Sequence, residues 1–447
     1  MNIKNHFSIT FNLAYPVILS QLGQVMVGVA DSMMVGQLGA LPLAAASLAN
    51  SIFFVLMMFG MGVSMGITPL ISIAEGKGKA LRIGKLFRHG LWINIFVALI
   101  LTGIILGLST GLSFLDQPEE VVKAAVPYLW VITASLFPFM IFQTFKQFAE
   151  GLSQTRQAMY VTIFSNLVNV FLNWVLIFGK LGFPAMGLMG AGWATLISRV
   201  VMALLMGAYV LSSRRYKGFD LGLKIRQFSA PLLSRILKIG IPTGFQFIFE
   251  VSAFGSAAIM MGWIGVTALA SHQIAINLAS ISYMMAAGLG TAGMVRVSNQ
   301  IGKNDFQTMR EAGMMVFAMV IAFMSVSAVL FILFRNMLPS LYIDDPEVIA
   351  TSATLLIIAG MFQLSDGIQV VGLGVLRGME DVRFPTWLTF VAYWILGLPL
   401  GYFFAFGLEM GERGIWFGLL IGLSITAVVL FYRFYRLSNK AILQEKL

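Results

Sequence analysis

Three carboxylates stand where a carboxylate is costly. Asp31 lies in GVADSMMVG, Glu250 in FIFEVSAFG and Asp366 in FQLSDGIQVVG, each inside a long apolar run. An acid in a membrane-crossing run is a functional candidate by default, because burying a charge there demands a partner. In a poorly solvated cavity a carboxylate prefers to take up a proton or to hold a cation, and either choice reverses when the cavity opens to water. Two or three such oxygens, with Asn and backbone carbonyls beside them, form a donor set for sodium, and in that case Glu250 and Asp366 are the metal-binding pair. The alternative for each acid is a structural hydrogen bond, or an ion pair with an Arg between helices.

Neutral polar groups that can widen such a network are Gln21, Gln24, Asn50, His272, Gln273, Asn277 and Gln363. Asn and Gln in membrane spans more often simply bond helix to helix. Phe245, Phe247, Phe249, Phe254 and Tyr283 surround Glu250 and its neighbour in sequence, and such rings can hold a flat lipophilic cation by stacking and cation–π attraction. With 37 Phe and 28 Met in the chain, most of these side chains face lipid or other helices. Lys146 and Glu150, four apart, read as an ion pair with each other. Arg199 sits deep enough to neutralise an acid, Arg296, Arg335 and Arg377 read as interfacial anchors near span ends, and His272 reads as a hydrogen-bonded helix histidine.

The elements that must position these groups follow from composition. Of 447 residues 58% are hydrophobic and 11% charged, against roughly a quarter charged in a soluble domain. A bilayer core about 30 Å thick takes about 20 apolar residues of helix, because every backbone polar group must be satisfied within the segment. Twelve stretches qualify, near 12–37, 43–73, 88–113, 123–149, 157–180, 187–212, 234–262, 267–298, 309–338, 348–376, 384–407 and 413–437. The fold class expected is therefore an all-α polytopic membrane protein. Gly60, Gly62, Gly66 and Pro69 in the long second run indicate close helix contacts or bends rather than an extra span.

The net charge of +10 is a topology signal. Lys77, Lys79, Arg82, Lys85 and Arg88 crowd the loop after span 2, and Arg214, Arg215, Lys217, Lys224 and Arg226 the connection after span 6. Opposite loops hold Asp116, Glu119, Glu120, Asp344, Asp345 and Glu347. The positive-inside rule puts both termini in the cytoplasm, and Arg433, Arg436, Lys440 and Lys446 in the tail agree. Contact with anionic lipid headgroups is secondary, and a nucleic-acid partner is not expected.

A shift of 226 residues places Pro16 on Pro242, Gly36 on Gly262, Gly39 on Gly265, Leu43 on Leu269, Ala49 on Ala275, Gly62 on Gly288 and Gly76 on Gly302, without a gap. A shift of 227 places Gly151 on Gly378, Arg156 on Arg383 and Thr162 on Thr389. Six spans per half is an even number, so the halves are parallel repeats about an axis along the membrane normal. The expected division is residues 1–212, a cytoplasmic linker at 213–233, and residues 234–447. Glu250 is the repeat partner of Gln24, and Asp31 lies two turns beyond Gln24 on nearly the same face.

No Cys is present and His number three, which excludes disulfides, thiolate metal centres and cysteine nucleophiles. No GxxxxGK[ST] or HExxH motif occurs, so the chain is not expected to be an enzyme. No organic cofactor is called for.

The block IPTGFQFIFEVSAFGSAAIMMGWIGVTALASHQIAINLASISYMMAAGLGTAGMVRVSNQIGK resembles the corresponding block of the multidrug and toxic compound extrusion (MATE) family, and ADSMMVGQLGALPLAAASLA and DGIQVVGLGVLRGMEDVRFP resemble its other hallmarks. The resemblance covers essentially the whole chain. It implies two six-helix lobes in a V and a secondary active antiporter in a bacterial inner membrane, expected as a monomer. Such an antiporter exports amphipathic organic cations in exchange for Na+ or H+ by alternating access. It further implies cation coupling by Glu250 and Asp366, with Asp31 assisting, and Gln24, Phe249, Tyr283, Gln273, Asn277, Asn169 and Asn173 as substrate or network residues. Another branch of the family supplies a further acid from span 5. This chain reads NLVNVFLNWVLIFG there, which points to the NorM-like branch and leaves only the neutral oxygens of Asn169 and Asn173. A flippase for a lipid-linked precursor is the alternative, although a pyrophosphate cargo calls for deep basic residues and the deep charges here are chiefly acidic.

Overall fold

The computed structural model describes residues 3–112, 118–222 and 229–445. Asp116, Lys224, Arg226 and Lys446, which entered the loop-charge reading, lie outside the described residues. Among the described residues twelve helices are long and apolar enough to cross a membrane: α1 Lys4–Gly36, α2 Ala40–Gly76, α3 Ala80–Ser109, α4 Glu119–Gly151, α5 Thr155–Phe178, α6 Leu188–Ser212, α7 Ala230–Ile264, α8 Val266–Lys303, α9 Phe306–Leu333, α10 Pro346–Gly378, α11 Arg383–Gly407 and α12 Glu412–Glu445. No strand occurs among the described residues. All twelve expected spans are present. Several run further than hydropathy indicated, because polar residues at a helix end still make intrahelical bonds once outside the apolar layer.

The helix ends follow local chemistry. Asp345 precedes Pro346 and accepts from the backbone N–H of Glu347 at 2.9 Å and Val348 at 3.3 Å, satisfying first-turn donors of α10. Asp305 does the same for α9 through Thr308 N–H at 2.9 Å. Gly39 (φ 113°) and Gly265 (φ 154°) turn the chain at repeat-equivalent places between α1 and α2 and between α7 and α8, a backbone that a side chain would strain. α2 is interrupted at Met65 and Gly66 and α4 at Ser135. At the first break a Cβ on Gly66 would meet the Ile236 carbonyl at 2.7 Å, which is the close contact the glycine spacing indicated.

The chain forms two compact units: Leu19–Gly244, and Met1–Ile18 with Phe245–Leu447. The boundaries fall two residues after Pro16 and Pro242, which are repeat partners inside α1 and α7. A proline removes one backbone hydrogen bond and crowds the preceding turn, so each helix changes unit at its weakest point. The start of each half therefore packs in the unit formed mostly by the other half.

In the unit Leu19–Gly244, apolar side chains such as Phe53, Leu101, Leu129, Phe139 and Met140 form the core. The connection after α6 is docked here. Tyr216 is buried, edge-on to Phe148 at 5.4 Å; Arg88 donates to the carbonyls of Asp220 at 3.1 Å and Gly222 at 3.3 Å; and Ser229 N–H donates to His89 Nε2 at 2.8 Å.

The other unit is built around α8 and α10, whose backbones meet through glycine: a Cβ on Gly374 would strike the Gly290 carbonyl, and one on Gly378 would meet the Met294 carbonyl at 2.8 Å. α11 is irregular, with π-helical stretches at Val391–Gly397 and Phe403–Gly407, and Gly397 and Gly401 lie against α12 at Gly418 and Gly422. The start of α1 is clamped by Arg296, which donates to His6 O at 3.0 Å and Thr10 Oγ1 at 2.6 Å. His6 Nε2 in turn meets Glu311 Oε2 at 3.1 Å. The Gly374 contact leads to a prediction. Gly374→Leu should cost about 1–3 kcal/mol by overpacking and lower the melting temperature of detergent-purified protein, whereas Gly107→Ala, with nothing within 4 Å of the new Cβ, should leave it unchanged.

Candidate functional site

Each unit gathers one cluster of deep polar side chains. In the unit Met1–Ile18 with Phe245–Leu447, Glu250 of α7 is 5% exposed and Asp366 of α10 is 3% exposed. The Glu250 charge acts on Asp366, and both act on Tyr283 of α8 and Tyr393 of α11. Gln369, one turn beyond Asp366, links them: its Nε2 donates to Tyr393 Oη at 2.9 Å and reaches Glu250 Oε1 at 3.5 Å. Arg377 donates to Gln246 Oε1 at 3.4 Å, and its charge acts on Glu250. Gln363 is fully buried three residues before Asp366, and neither of its amide atoms has a hydrogen-bond partner among the described residues.

The irregular α11 contributes to this geometry. A π-turn widens the helix and turns side chains away from the α-helical path, and within Val391–Gly397 the chain presents Tyr393 to Gln369 while Trp394 Nε1 donates to the Phe249 carbonyl at 3.1 Å. The Phe249 ring lies 5.0 Å from Phe390 and 6.1 Å from Phe245, so an aromatic layer borders the acid of α7. In charge terms the cluster holds two carboxylates and one guanidinium, and a water-poor site with one surplus negative charge is suited to a proton or a small monovalent cation. Among the described residues no three of His, Cys, Asp and Glu converge on one point. A cation here would complete its shell from the two acids and neutral oxygens.

The unit Leu19–Gly244 is balanced differently. Asn173 Nδ2 of α5 donates to Asp31 Oδ1 of α1 and also to Asn169 Oδ1 at 3.2 Å, and Asn169 reaches Ser198 Oγ of α6 at 3.5 Å. Arg199, next along α6, acts on Asp31 by its charge. Its guanidinium donates to Ser135 Oγ at 2.8 Å and lies 5.0 Å from the ring centroids of both Phe53 and Phe139, a cation–π clamp. Tyr128 meets the same two charges and Asn50. One acid and one base make this cluster neutral.

The remaining expected residues fall elsewhere. Gln24 is half-buried on the Asp31 face of α1 and, among the described residues, joins neither cluster by a hydrogen bond. Gln273 and Asn277 pair with one another at 3.1 Å on an exposed face of α8. Lys146 and Glu150 form the expected pair at 3.8 Å, nearly fully buried. Three readings are corrected. Arg296 and Arg377 are not interfacial anchors; they are 5% and 6% exposed, because α8 and α10 run far beyond the apolar layer and a position near the end of such a helix is still interior. His272 is buried with Nδ1 unbonded, and packs against Trp416 at 5.7 Å. Sequence reasoning passed over Gln369, Tyr393 and Ser198, whose one signal was a polar atom inside an apolar run.

The MatE family model matches residues 16–175 and 242–403, one match in each half. The chain is 35% identical over 440 residues to the probable multidrug resistance protein NorM of Rhizobium meliloti (strain 1021), covering 97% of this chain and 94% of that protein. It is 34% identical over 431 residues to the multidrug resistance protein MdtK of Yersinia pseudotuberculosis serotype O:1b (strain IP 31758), covering 94% and 93%. Among solved structures, a MATE crystal structure in the bent conformation superposes with a TM-score of 0.91 at 20% identity, over 100% of this chain and 98% of that one. The eukaryotic MATE transporter AtDTX14 superposes at 0.87 and 21%, over 98% of each.

The neutral cluster is open to a stability test. Arg199→Met leaves the Asp31 carboxylate without its countercharge, at a cost of about 3–5 kcal/mol for a buried group. Adding Asp31→Asn should recover part of that loss. Thermal unfolding of the two single variants and the double should therefore give a coupling of about 1–3 kcal/mol, and strict additivity would show that the two side chains do not interact.

Proposed function

The chain belongs to the MatE family, and from that membership we propose that it is a secondary active antiporter that exports amphipathic, chiefly cationic small molecules in exchange for Na+ or H+ by alternating access. The observation that carries this reading is the charge balance of the two clusters. Glu250 and Asp366 share one unit with Arg377 and leave a surplus negative charge, whereas Asp31 is answered by Arg199. A surplus charge in an apolar unit is costly unless a proton or cation accompanies it, and an antiporter needs a site that exchanges such a companion between two sides. Glu250 and Asp366 are therefore assigned to the coupling ion, with Gln369 and Tyr393 orienting them, and Asp31 with Asn169 and Asn173 to an assisting role.

The cargo is inferred from the relatives' names, which are those of multidrug resistance proteins, and from chemistry. The Phe245, Phe249 and Phe390 layer offers π-faces to a lipophilic cation, and Gln24, Tyr283, Gln273 and Asn277 belong to the proposed path as polar neighbours. The bilayer in question is the inner membrane of a bacterium, both termini face the cytoplasm, the working unit is a monomer, and the only ion required is the coupling ion. A lipid-linked pyrophosphate would need an exposed basic pocket, and Arg199 and Arg377 already donate to Ser135 and Gln246.

Everted vesicles given a fluorescent cationic dye and an imposed Na+ or H+ gradient test the assignment. Glu250→Gln and Asp366→Asn should each lower gradient-driven dye transport by about tenfold or more, the scale expected for loss of a buried ionisable ligand. Transport at the parent rate in either variant would remove that residue from the coupling site. Orientation has its own readout: alkaline phosphatase fused after Leu447 should stay inactive in whole cells, and an active fusion would place that end outside.

A further inference from the structure

Below Asp31, towards the Thr155 end of α5, the unit Leu19–Gly244 carries a line of buried polar atoms with nothing to bond. Thr162 Oγ1, Ser165 Oγ, Asn166 Nδ2 and Asn173 Oδ1 on α5, and Ser20 Oγ on α1, have no hydrogen-bond partner among the described residues. Ser20, Thr162, Ser165 and Asn173 are all at most 2% exposed. The spacing puts residues 162, 165, 166, 169 and 173 on one face of α5, opposite Phe164 and Phe171, which are each 52% exposed. α1 runs beside this face in the same direction, since Asp31 meets Asn173 and a Cβ on Gly23 would meet Asn166 Nδ2 at 2.9 Å. Eleven residues back from that first contact, about 16 Å along either helix, stand Ser20 and Thr162.

Buried hydroxyls in this unit can satisfy themselves. Thr133 and Thr144 donate to the carbonyls four residues earlier, at 2.6 and 3.0 Å. That Thr162, Ser165 and Ser20 do not is meaningful, because an unpaired polar group in apolar surroundings costs about 1–3 kcal/mol. Several on one line are sustained only if water bonds to them. We propose that this face of α5, with Ser20 of α1, holds a file of water inside the unit, connecting Asp31 to the aqueous phase at the Thr155 end and passing protons to it. Each water accepts one proton and hands one on, and the last transfer makes an O–H bond on Asp31 while its partner water is left neutral. The hydroxyls and amides along the line are neutral, so they bond water without trapping a cation. Protonating Asp31 would leave the Arg199 charge unanswered, which couples arrival of the proton to the α1–α6 contact.

The inference rests on the assisting role proposed for Asp31, and the test separates the two. The chain has no Cys, so Thr162→Cys, Ser165→Cys and Phe171→Cys each introduce a single thiol with little change of volume at the first two sites. Reaction of vesicle-embedded protein with 2-aminoethyl methanethiosulfonate requires the thiolate, which forms in water and not in an apolar interior. The Thr162→Cys and Ser165→Cys variants should react about tenfold faster or more than Phe171→Cys, as water-lined positions do relative to lipid-facing ones. Reaction of the Ser165→Cys variant should then cut its own proton-driven dye transport several-fold, with recovery on reduction by dithiothreitol. Labelling no faster than at Phe171→Cys, or full labelling with transport unchanged, would overturn the water file. If labelling is fast and blocks transport while Asp31→Asn transports like the parent, the file stands and the role given to Asp31 falls.

Discussion

The constraint on which this structure turns is the cost of charge in a low-dielectric interior. Each deep charge is met inside its own unit: Lys146 meets Glu150 at 3.8 Å, Arg199 answers Asp31, and Arg296 takes the carbonyl of His6 and the hydroxyl of Thr10. The pair Glu250 and Asp366, with Arg377 the one base acting on it among the described residues, does not sum to zero when both acids are ionised. In a membrane-embedded helix bundle such an imbalance persists only where something mobile completes it.

The helices are built to hold that imbalance in place. Gly290, Gly374 and Gly378 let the backbones of α8 and α10 approach closely, which fixes the height of Asp366 and Gln369 against Tyr283. The π-turn of α11 gives up regular hydrogen bonding to bring Tyr393 to Gln369 and Trp394 to the Phe249 carbonyl. Duplication supplied the frame for both units, yet the copies have diverged in charge: where α7 carries Glu250, the equivalent place on α1 carries Gln24, and the acid of α1 sits two turns further along. One cluster became neutral and the other did not.

Much of this was legible in the residues. Twelve apolar runs, a gapless duplication and three stranded acids follow from hydropathy and spacing, because membrane depth penalises charge so heavily that any exception is conspicuous. The Asn169 and Asn173 pair was also visible, as polar interruptions of NLVNVFLNWVLIFG. Partner identity was not. Nothing in the spacing says that Asn173 of α5 donates to Asp31 or that Gln369 bridges Glu250 and Tyr393, since those contacts depend on helix rotation. The change of unit at Pro16 and Pro242 was hidden for the same reason: a proline in a helix marks a weak point, and only packing shows what lies on either side. Arg296 and Arg377 misled because distance from a helix end stops measuring depth once helices outrun the bilayer.

The central claim, that the surplus charge of Glu250 and Asp366 is completed by an exchanged cation, is tested most directly by counting that cation. Proteoliposomes of the purified protein, given a gradient of a cationic dye and no other driving force, should show a flux of Na+ or H+ opposite to the dye, followed with radioactive sodium and a pH-sensitive fluorophore. The account predicts that this counterflux appears in the parent and is lost in Asp366→Asn. Dye movement in the parent with neither ion moving against it would contradict the account.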